Sequence, residues 1–259
     1  MPLLNQAFED YYRAAYGSRW EPLRKSLLAG APPSAYTHNL TEAYLLDRAS
    51  ILAAESLRLP AAGEVLDACA APGGKSLVIA SRLAPDARLL ANELSTERRR
   101  RLVTVLDKHL DGGRRAQVTV SGFDAAALAG RKGEHGRFTA LLLDAPCSSE
   151  AHVIQSAAAL AQWTPARPRF LAGRQWALLS AAFLLLRPGG SLVYATCALA
   201  PDENDGVVSR LVKKYGEAAV IDRPDFPEGE KTAYGRIILP DVCGGIGPMY
   251  VARFIKANT

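Results

Sequence analysis

The chain has 259 residues, 49% of them hydrophobic and 22% charged, with a formal net charge of +5. Such a composition is ordinary for a soluble globular chain and argues against disorder or a fibrous repeat. A chain of this length buries roughly 70–75% of its unfolded surface and needs no metal or disulfide staple.

The N-terminal stretch MPLLNQAFEDYY carries Glu9 and Asp10 and has no basic start, so it reads as neither a signal peptide nor a presequence. Phe8, Tyr11, Tyr12 and Ala15 recur at helical spacing, and Trp20, Leu23 and Leu27 resume it after Gly17. Pro32 and Pro33 break the chain. Asn39 or Thr41 is then expected to cap a helix carrying Leu46, Ala49, Ala53 and Leu57, ending near Pro60. Residues 1–62 are therefore read as an N-terminal helical extension.

From residue 63 to residue 259, short apolar runs alternate with helical stretches, which is read as one catalytic domain. Strands are predicted at 64–67, 88–92, 117–120, 140–143, 191–195, 219–222 and 249–254, and helices at 75–84, 95–111, 172–187 and 203–215. The helix at 172–187 shows a buried stripe of Ala172, Trp176, Leu179, Phe183 and Leu186. This alternation predicts an α/β fold with a mostly parallel sheet of seven strands, covered on both faces. Ligands of such sheets sit outside the carboxyl ends of the strands. The longest apolar run, 178–186, stops at Arg187 and Pro188, well short of the ~18 residues of a membrane span.

Positive charge concentrates in 98–137, where ten basic residues (Arg98 to Arg101, Lys108, Arg114, Arg115, Arg131, Lys132 and Arg137) outnumber four acidic ones. Such an excess attracts phosphates. Four successive arginines, however, fan through about 300° of a helix, so a solvated helix surface is an equal reading.

Each predicted strand end carries a candidate group. After the first comes a loop of small residues, Cys69, Ala70, Ala71, Pro72, Gly73 and Gly74, followed by Lys75 and Ser76. A Walker-type phosphate loop would need glycine where Cys69 stands, and no G-x-G-x-x-G pattern exists. Asp67 would repel phosphate but suits the ammonium of an amino-acid moiety; a plain tight turn is the alternative. Glu93 ends the second strand, placed to hydrogen-bond ribose hydroxyls, and Asp124 follows the third, where it could accept from an adenine amino group. Three acids at successive strand ends suit a nucleoside cofactor without pyrophosphate, as S-adenosylmethionine is.

The fourth strand end reads Asp144-Ala-Pro-Cys147-Ser-Ser, and the fifth Tyr194-Ala-Thr-Cys197-Ala-Leu-Ala-Pro. Cys69 and Cys243 read as small buried hydrophobes. Cys147 and Cys197 fall where neighbouring parallel strands open onto one crevice. Two thiols and a carboxylate facing a methyl donor imply covalent activation of the substrate. None of the four cysteines forms a C-x-x-C pair or a Cys/His cluster, so no metal is expected and the thiols are read as reduced.

On DACAAPGGK (67–75), LLANELS (89–95), DAPCS (144–148) and YATCALAPDEN (194–204), the sequence resembles the RsmB/Nop/Sun family of RNA 5-methylcytosine methyltransferases. Gln175 and RPGG (187–190) fit the same pattern, and 8–27 resembles the short subgroup that includes the mitochondrial members. The resemblance implies a Rossmann-like class I fold, with 69–75, Glu93, Asp124 and Asp144 binding S-adenosylmethionine. It implies that Cys197 is the nucleophile and that Cys147 assists product release. Asp144 would hydrogen-bond the N3/N4 edge of cytosine and Lys75 would assist electrostatically. Ala198, Leu46, and the Met249 and Tyr250 pair depart from common family residues at positions that bear on target choice.

The implied partner is RNA, ribosomal or transfer, with target selection aided by an accessory RNA-binding protein or by preassembled RNA. No membrane partner is expected, and a monomer is the default. The expected compartment is the cytoplasm, or the mitochondrion for a eukaryotic source. Two rivals stand beside this reading: a DNA cytosine-5 methyltransferase attacking through Cys147, and a cofactor-binding RNA assembly factor whose catalysis is dispensable. A small-molecule methyltransferase would give the two thiols no evident purpose.

Overall fold

A computed structural model of the chain describes residues 5–258; the first four residues of the N-terminal stretch read above lie outside them. Helix α1 (Gln6–Tyr16) begins at Asn5, whose side chain accepts from the Phe8 amide. It closes at Gly17, in a left-handed conformation that side-chain-bearing residues resist, and α2 (Trp20–Ala29) follows. The next segment departs from the expected helix. Strands β1 (Ser34–Tyr36) and β2 (Tyr44–Leu46) pair as an antiparallel hairpin. Helix α3 (Arg48–Glu55) starts only at Asp47, whose carboxylate accepts from the amides of Ala49 and Ser50. Neither Asn39 nor Thr41 caps it, and Leu46 lies in a strand.

The alternating part runs β3 (Ala62–Asp67), α4 (Gly74–Ala80), β4 (Asp86–Asn92), α5 (Thr96–His109), α6 (Gly112–Ala116), β5 (Val118–Ser121), α7 (Ala125–Leu128) and β6 (Phe138–Asp144). It continues through α8 (Glu150–Gln155), α9 (Ala157–Ala161), α10 (Ala166–Leu185), β7 (Leu186–Thr196), α11 (Asp205–Tyr215), β8 (Ala219–Ile221), β9 (Glu230–Lys231), β10 (Arg236–Ile238) and β11 (Met249–Lys256). All seven predicted strands are present. The short β9 and β10 bring the sheet to nine among the described residues.

The sheet order is β5-β4-β3-β6-β7-β11-β10-β9, with β8 paired to β11. Strands β3 to β7 are parallel and β11 returns antiparallel to β7. Chain order runs outward from β3 in one direction through β4 and β5, and in the other through β6 and β7. The switch therefore falls between β3 and β6, where a crevice opens at the carboxyl ends.

Side-chain alternation splits the core between the two faces of the sheet. Val65, Leu89, Leu142 and Val193 pack on one face with Ala53, Leu77, Leu102 and Leu106 from α3, α4 and α5. Leu66, Leu141, Leu143 and Leu192 pack on the other with Leu179, Phe183, Val207 and Leu211 from α10 and α11. A third cluster joins Phe8, Tyr12, Trp20 and Leu23 to Val153, Ile154, Leu160, Trp163 and Leu199. Each large side chain buried there contributes roughly 1.5–3 kcal/mol, so α1 and α2 are anchored on α8, α9 and the loop after β7. Ala15, on the predicted apolar stripe of α1, is exposed.

Candidate active site

Strand β3 delivers the small-residue turn. Gly73 adopts a φ of 121°, and a Cβ there would lie 2.9 Å from Val105 Cγ1; one on Gly74 would lie 2.7 Å from Leu46 Cδ1. The two glycines let α4 start tight against α5 and the hairpin. Asp67 is fully buried beneath this turn. Its Oδ2 accepts from Ser76 Oγ at 2.6 Å and its Oδ1 has no partner. Burial pushes its pKa up to about 7 against the opposing Ser76 hydrogen bond. The sequence reading placed Asp67 toward a ligand's ammonium; here it has no exposed surface to offer one.

Beside the turn lies a cleft of about 310 Å³ lined by Ala68, Cys69, Asn92 to Ser95, Arg98, Phe123 to Ala125, Pro146, Arg174 and Leu178. Of the expected cofactor residues, Cys69, Glu93 and Asp124 line it; Ala70, Ala71, Pro72, Gly73 and Gly74 form the adjoining turn. Glu93 is nearly buried, accepts from the Ser95 amide at 2.8 Å and pairs with Arg98 at 3.5 Å. Asp124 caps α7 and pairs with Arg174 at 2.6 Å, which lowers its pKa; both contacts use Oδ1. Burial pushes the Cys69 thiol well up, so it stays neutral. Asn92 ties three strand ends together. Its Nδ2 donates to the carbonyls of Ala68 and Phe123, and its Oδ1 accepts from the Phe123 amide and Ser121 Oγ.

The ends of β6 and β7 bring the two predicted thiols together. Cys147 Sγ and Cys197 Sγ lie 3.1 Å apart, and Ser149 Oγ sits 3.2 Å from Cys197 and 3.5 Å from Cys147. Ser149 adopts a left-handed φ of 53°, a costly conformation for a non-glycine residue, and it directs its hydroxyl at both sulfurs. Lys75 and Asp144, neither of which lines the cleft, pair instead beside the thiols: Lys75 donates to Asp144 Oδ2 at 2.8 Å and to Ser50 Oγ at 3.1 Å. Burial opposes the Lys75 charge, but Asp144 outweighs it and leaves the pKa raised. The Cys197 thiol is lowered by the Cys147 hydrogen bond against the cost of burial, with Ser149 and Lys75 adding to the lowering. Cys147 is raised by its contact with Cys197 and by burial, with Glu150 adding to it.

Behind the thiols lies a buried polar network. Glu150 accepts from Tyr12 and Ser148 hydroxyls and from the Leu199 amide. Glu203 accepts from the Ser148 amide at 3.0 Å and from Gln175 Nε2 at 2.7 Å, and Gln175 also donates to the Pro146 carbonyl. Burial and the neighbouring Glu150 push Glu203 up to about 7. The loop 144–149 is thus held from α1, α10 and the segment after β7. Sequence reasoning missed Asn92, Ser149, Glu150, Glu203 and Tyr12 as supports. The one local signal was the polar pair Ser148-Ser149 following Cys147.

The basic stretch 98–137 resolves into internal contacts. Arg98 donates to the Ala71 carbonyl, Arg99 to the Glu93 carbonyl, and Arg101, Arg115 and Arg137 pair with Glu97, Asp107 and Glu64. Several of these pairs remain exposed on the surface, among them Arg101 with Glu97. Among the described residues no group of three or more His, Cys, Asp and Glu is placed to hold a metal, and no helix is long and apolar enough to cross a membrane.

The parallel sheet with its crevice at the β3–β6 switch is the Rossmann-like fold of methyltransferases. A crystal structure of NSun6 from Pyrococcus horikoshii with SFG superposes on 86% of this chain and 55% of its own at a TM-score of 0.70 and 23% identity. A methyltransferase homolog protein from the same organism covers 98% of this chain and 95% of its own at 0.76 and 20%. The sequence model of the 16S rRNA methyltransferase RsmB/F family matches residues 54–255, and the chain belongs to that family. Ribosomal RNA small subunit methyltransferase F of Klebsiella pneumoniae (strain 342) is 38% identical over 180 residues, 69% of this chain and 36% of the relative. That of Erwinia tasmaniensis is 37% identical over 197 residues, 74% of this chain and 40% of the relative. The chain spans little more than a third of the length of these relatives. The resemblance read from the motifs is borne out.

Proposed function

We propose that the protein transfers a methyl group from S-adenosylmethionine to C5 of a cytosine in ribosomal RNA, through a covalent adduct between Cys197 and C6 of the base. The observation that carries this reading is the 3.1 Å approach of Cys197 and Cys147 beside the Lys75–Asp144 pair, one strand over from the cleft that Glu93 and Asp124 line. The relatives' names favour small-subunit ribosomal RNA over transfer RNA. Residues 63–259 are the catalytic domain in this reading and 1–62 the N-terminal extension, whose helices α1 and α2 are braced against it.

The cleft suits the cofactor. Its size meets the lower end for a small-molecule site, its walls are largely apolar, and its two carboxylates are balanced by Arg98 and Arg174. Glu93 would take the ribose hydroxyls and Asp124, through the oxygen not engaged by Arg174, the adenine amino group. When bound, S-adenosylmethionine supplies an electrophilic methyl on a sulfonium.

The target base must leave its stack to reach the thiols, and single-stranded RNA offers that at lowest cost. Cys197 thiolate bonds to C6 and the C5=C6 electrons move to C5, with Asp144 holding the N3/N4 edge. C5 would then be the nucleophile toward the methyl group that the cofactor held beside Glu93 and Asp124 would supply, its sulfonium leaving as a neutral thioether. A base then removes the C5 proton, the electron pair reforms C5=C6, and the Cys197–C6 bond breaks. Cys147, held as a thiol beside Cys197, is assigned to this release: it passes its proton to the departing Cys197 sulfur and, as the thiolate so formed, takes up the C5 proton.

The test is methyl transfer and adduct formation with unmodified small-subunit ribosomal RNA. Cys197→Ala should form no adduct, and Cys147→Ala should accumulate one that resists denaturing electrophoresis. Loss of adduct in Cys147→Ala alone would instead mean attack through Cys147, as in the DNA-type rival. Absence of labelled methyl in any RNA fraction would leave only a binding role.

A further inference from the structure

Helix α10 touches both halves of the crevice: Arg174 and Leu178 line the cofactor cleft, and Gln175 donates to the Pro146 carbonyl in the thiol loop. Its first two turns reach outward from that point, and there Phe170 is 78% exposed. A phenyl ring so exposed contributes nothing to the core. At 100° per residue, Arg167, Phe170 and Arg174 fall within about 60° of one another, with Arg169 on the opposite flank of Phe170. Arg167 and Arg169 make no ion pair and no side-chain hydrogen bond among the described residues, unlike most of the arginines in 98–137. One turn along, Gly173 faces open space: a Cβ there would meet nothing within 4 Å. Glycine is a poor helix former, and no close packing requires it at this position.

We propose that this Arg167–Arg169–Phe170 face is where the protein grips single-stranded RNA next to the base being modified. The inference rests on the RNA-methyltransferase reading above and specifies its substrate-binding surface. An exposed aromatic ring offers a stacking platform to any base, and flanking guanidinium groups pair with the adjoining phosphates. Phe170 lies about 6 Å along the helix axis from Arg174 at the cofactor cleft and five residues before Gln175, which holds the thiol loop, so this face adjoins the crevice. A polyanion is favoured over a protein partner because Arg167 and Arg169, the charges this helix turn carries, are both positive and the apolar area is a single ring.

The experiment uses the full chain and two probes, a single-stranded oligocytidine for binding and unmodified small-subunit ribosomal RNA for turnover. Phe170→Ala should weaken oligocytidine binding about tenfold, as loss of one stacked base does, and raise KM for RNA with kcat unchanged. Phe170→Trp should keep the affinity, and Phe170→Leu should not. Arg167→Ala with Arg169→Ala should lower the slope of log affinity against log salt by about 1.4 for two phosphate contacts. Gly173→Leu should weaken binding while leaving or raising Tm. Cofactor affinity should be unchanged in all of them. Unaltered binding in Phe170→Ala and in the double arginine variant overturns the proposal, as does full affinity in Phe170→Leu, which would mark a merely apolar contact. If the variants lose RNA binding while the parent methylates nothing, the surface stands and the catalytic reading falls. If the parent methylates and the variants bind as it does, the reverse holds.

Discussion

Replacing Cys147 by alanine should raise the pKa of Cys197. The Cys147 thiol, 3.1 Å away, is the largest influence lowering that pKa, and Ser149 at 3.2 Å comes after the opposing cost of burial. A hydrogen bond to a charged group is worth about 1.5–3 kcal/mol, or about 1–2 pKa units at 1.36 kcal/mol each. The lost side chain also lets water nearer the sulfur, which offsets part of this and places the shift near the lower end. Iodoacetamide alkylation followed across pH, with the Cys197 peptide quantified by mass spectrometry, reads the midpoint directly. It should move up by about one unit, and the rate at pH 7 should fall about tenfold. Ser149→Ala should move it in the same direction by less. In Cys197→Ala the remaining Cys147 should titrate lower than in the parent, because its largest raising influence has gone. A midpoint that stays put or falls in Cys147→Ala would refute the view that one thiol supports the other as an anion.

Lys75→Met leaves Asp144 without its cation in a pair whose side chains are 12% and 28% exposed; unfolding in urea should show a loss of about 2–3 kcal/mol, between surface and buried pairs, and Cys197 alkylation should shift to higher pH. Glu93→Ala should weaken S-adenosylmethionine binding about 10–100-fold in calorimetric titration, the worth of charge-assisted hydrogen bonds. Tyr12→Phe removes one of three donors to Glu150 and should lower the urea midpoint by an amount equal to about 1–3 kcal/mol with no change in slope. Glu203 has a folded pKa of about 7 against an ordinary 4.5. Its stabilising proton is held in full below pH ~4.5 and lost as pH rises through 7, so the parent should lose stability relative to Glu203→Gln across that window. A flat difference between the two would show that Glu203 titrates normally.

The strands were readable because their burial is continuous: 138–143 and 191–196 are buried at every position, and each predicted strand falls inside an observed one or overlaps it to within a residue. The stretch before α3 was not, because Ser34–Tyr36 and Tyr44–Leu46 are too short to establish alternation. Leu46 happens to continue the helical spacing of Ala49 and Ala53, although Asp47 between them is the residue that caps. Cys147 and Cys197 were legible because thiols at adjacent strand ends are chemically unusual. Ser149, Glu150, Glu203 and Tyr12 are ordinary residue types whose meaning lies in long-range contacts, such as Tyr12 to Glu150 across 138 positions. The partners of the arginines in 98–137 were legible only in part: Glu97 for Arg101 is one turn away, whereas Glu64 for Arg137 and the Ala71 carbonyl for Arg98 are distant in sequence.

Two sulfurs of the same kind, side by side, need something to decide which becomes the anion, and the fold supplies it through strand order. The turn after β3 carries Lys75 across to Asp144 at the end of β6; the cation favours charge on Cys197 at the neighbouring end of β7, the carboxylate opposes it more, and the hydrogen bonds from Cys147 and Ser149 tip the balance toward the anion. On the far side of the loop, Glu150 is fixed by Tyr12 and the Leu199 amide and disfavours charge on Cys147. Cys147 therefore keeps its proton and can donate it to its neighbour. The acids of β4 and β5 lie beyond β3, away from the thiols, so the carboxylates suited to the cofactor's hydroxyl and amino groups do not oppose ionisation of the nucleophile as closely as Asp144 does. The N-terminal helices, by seating Tyr12 against Glu150, extend this polarisation of the thiol pair to a segment that contributes no group to the crevice itself.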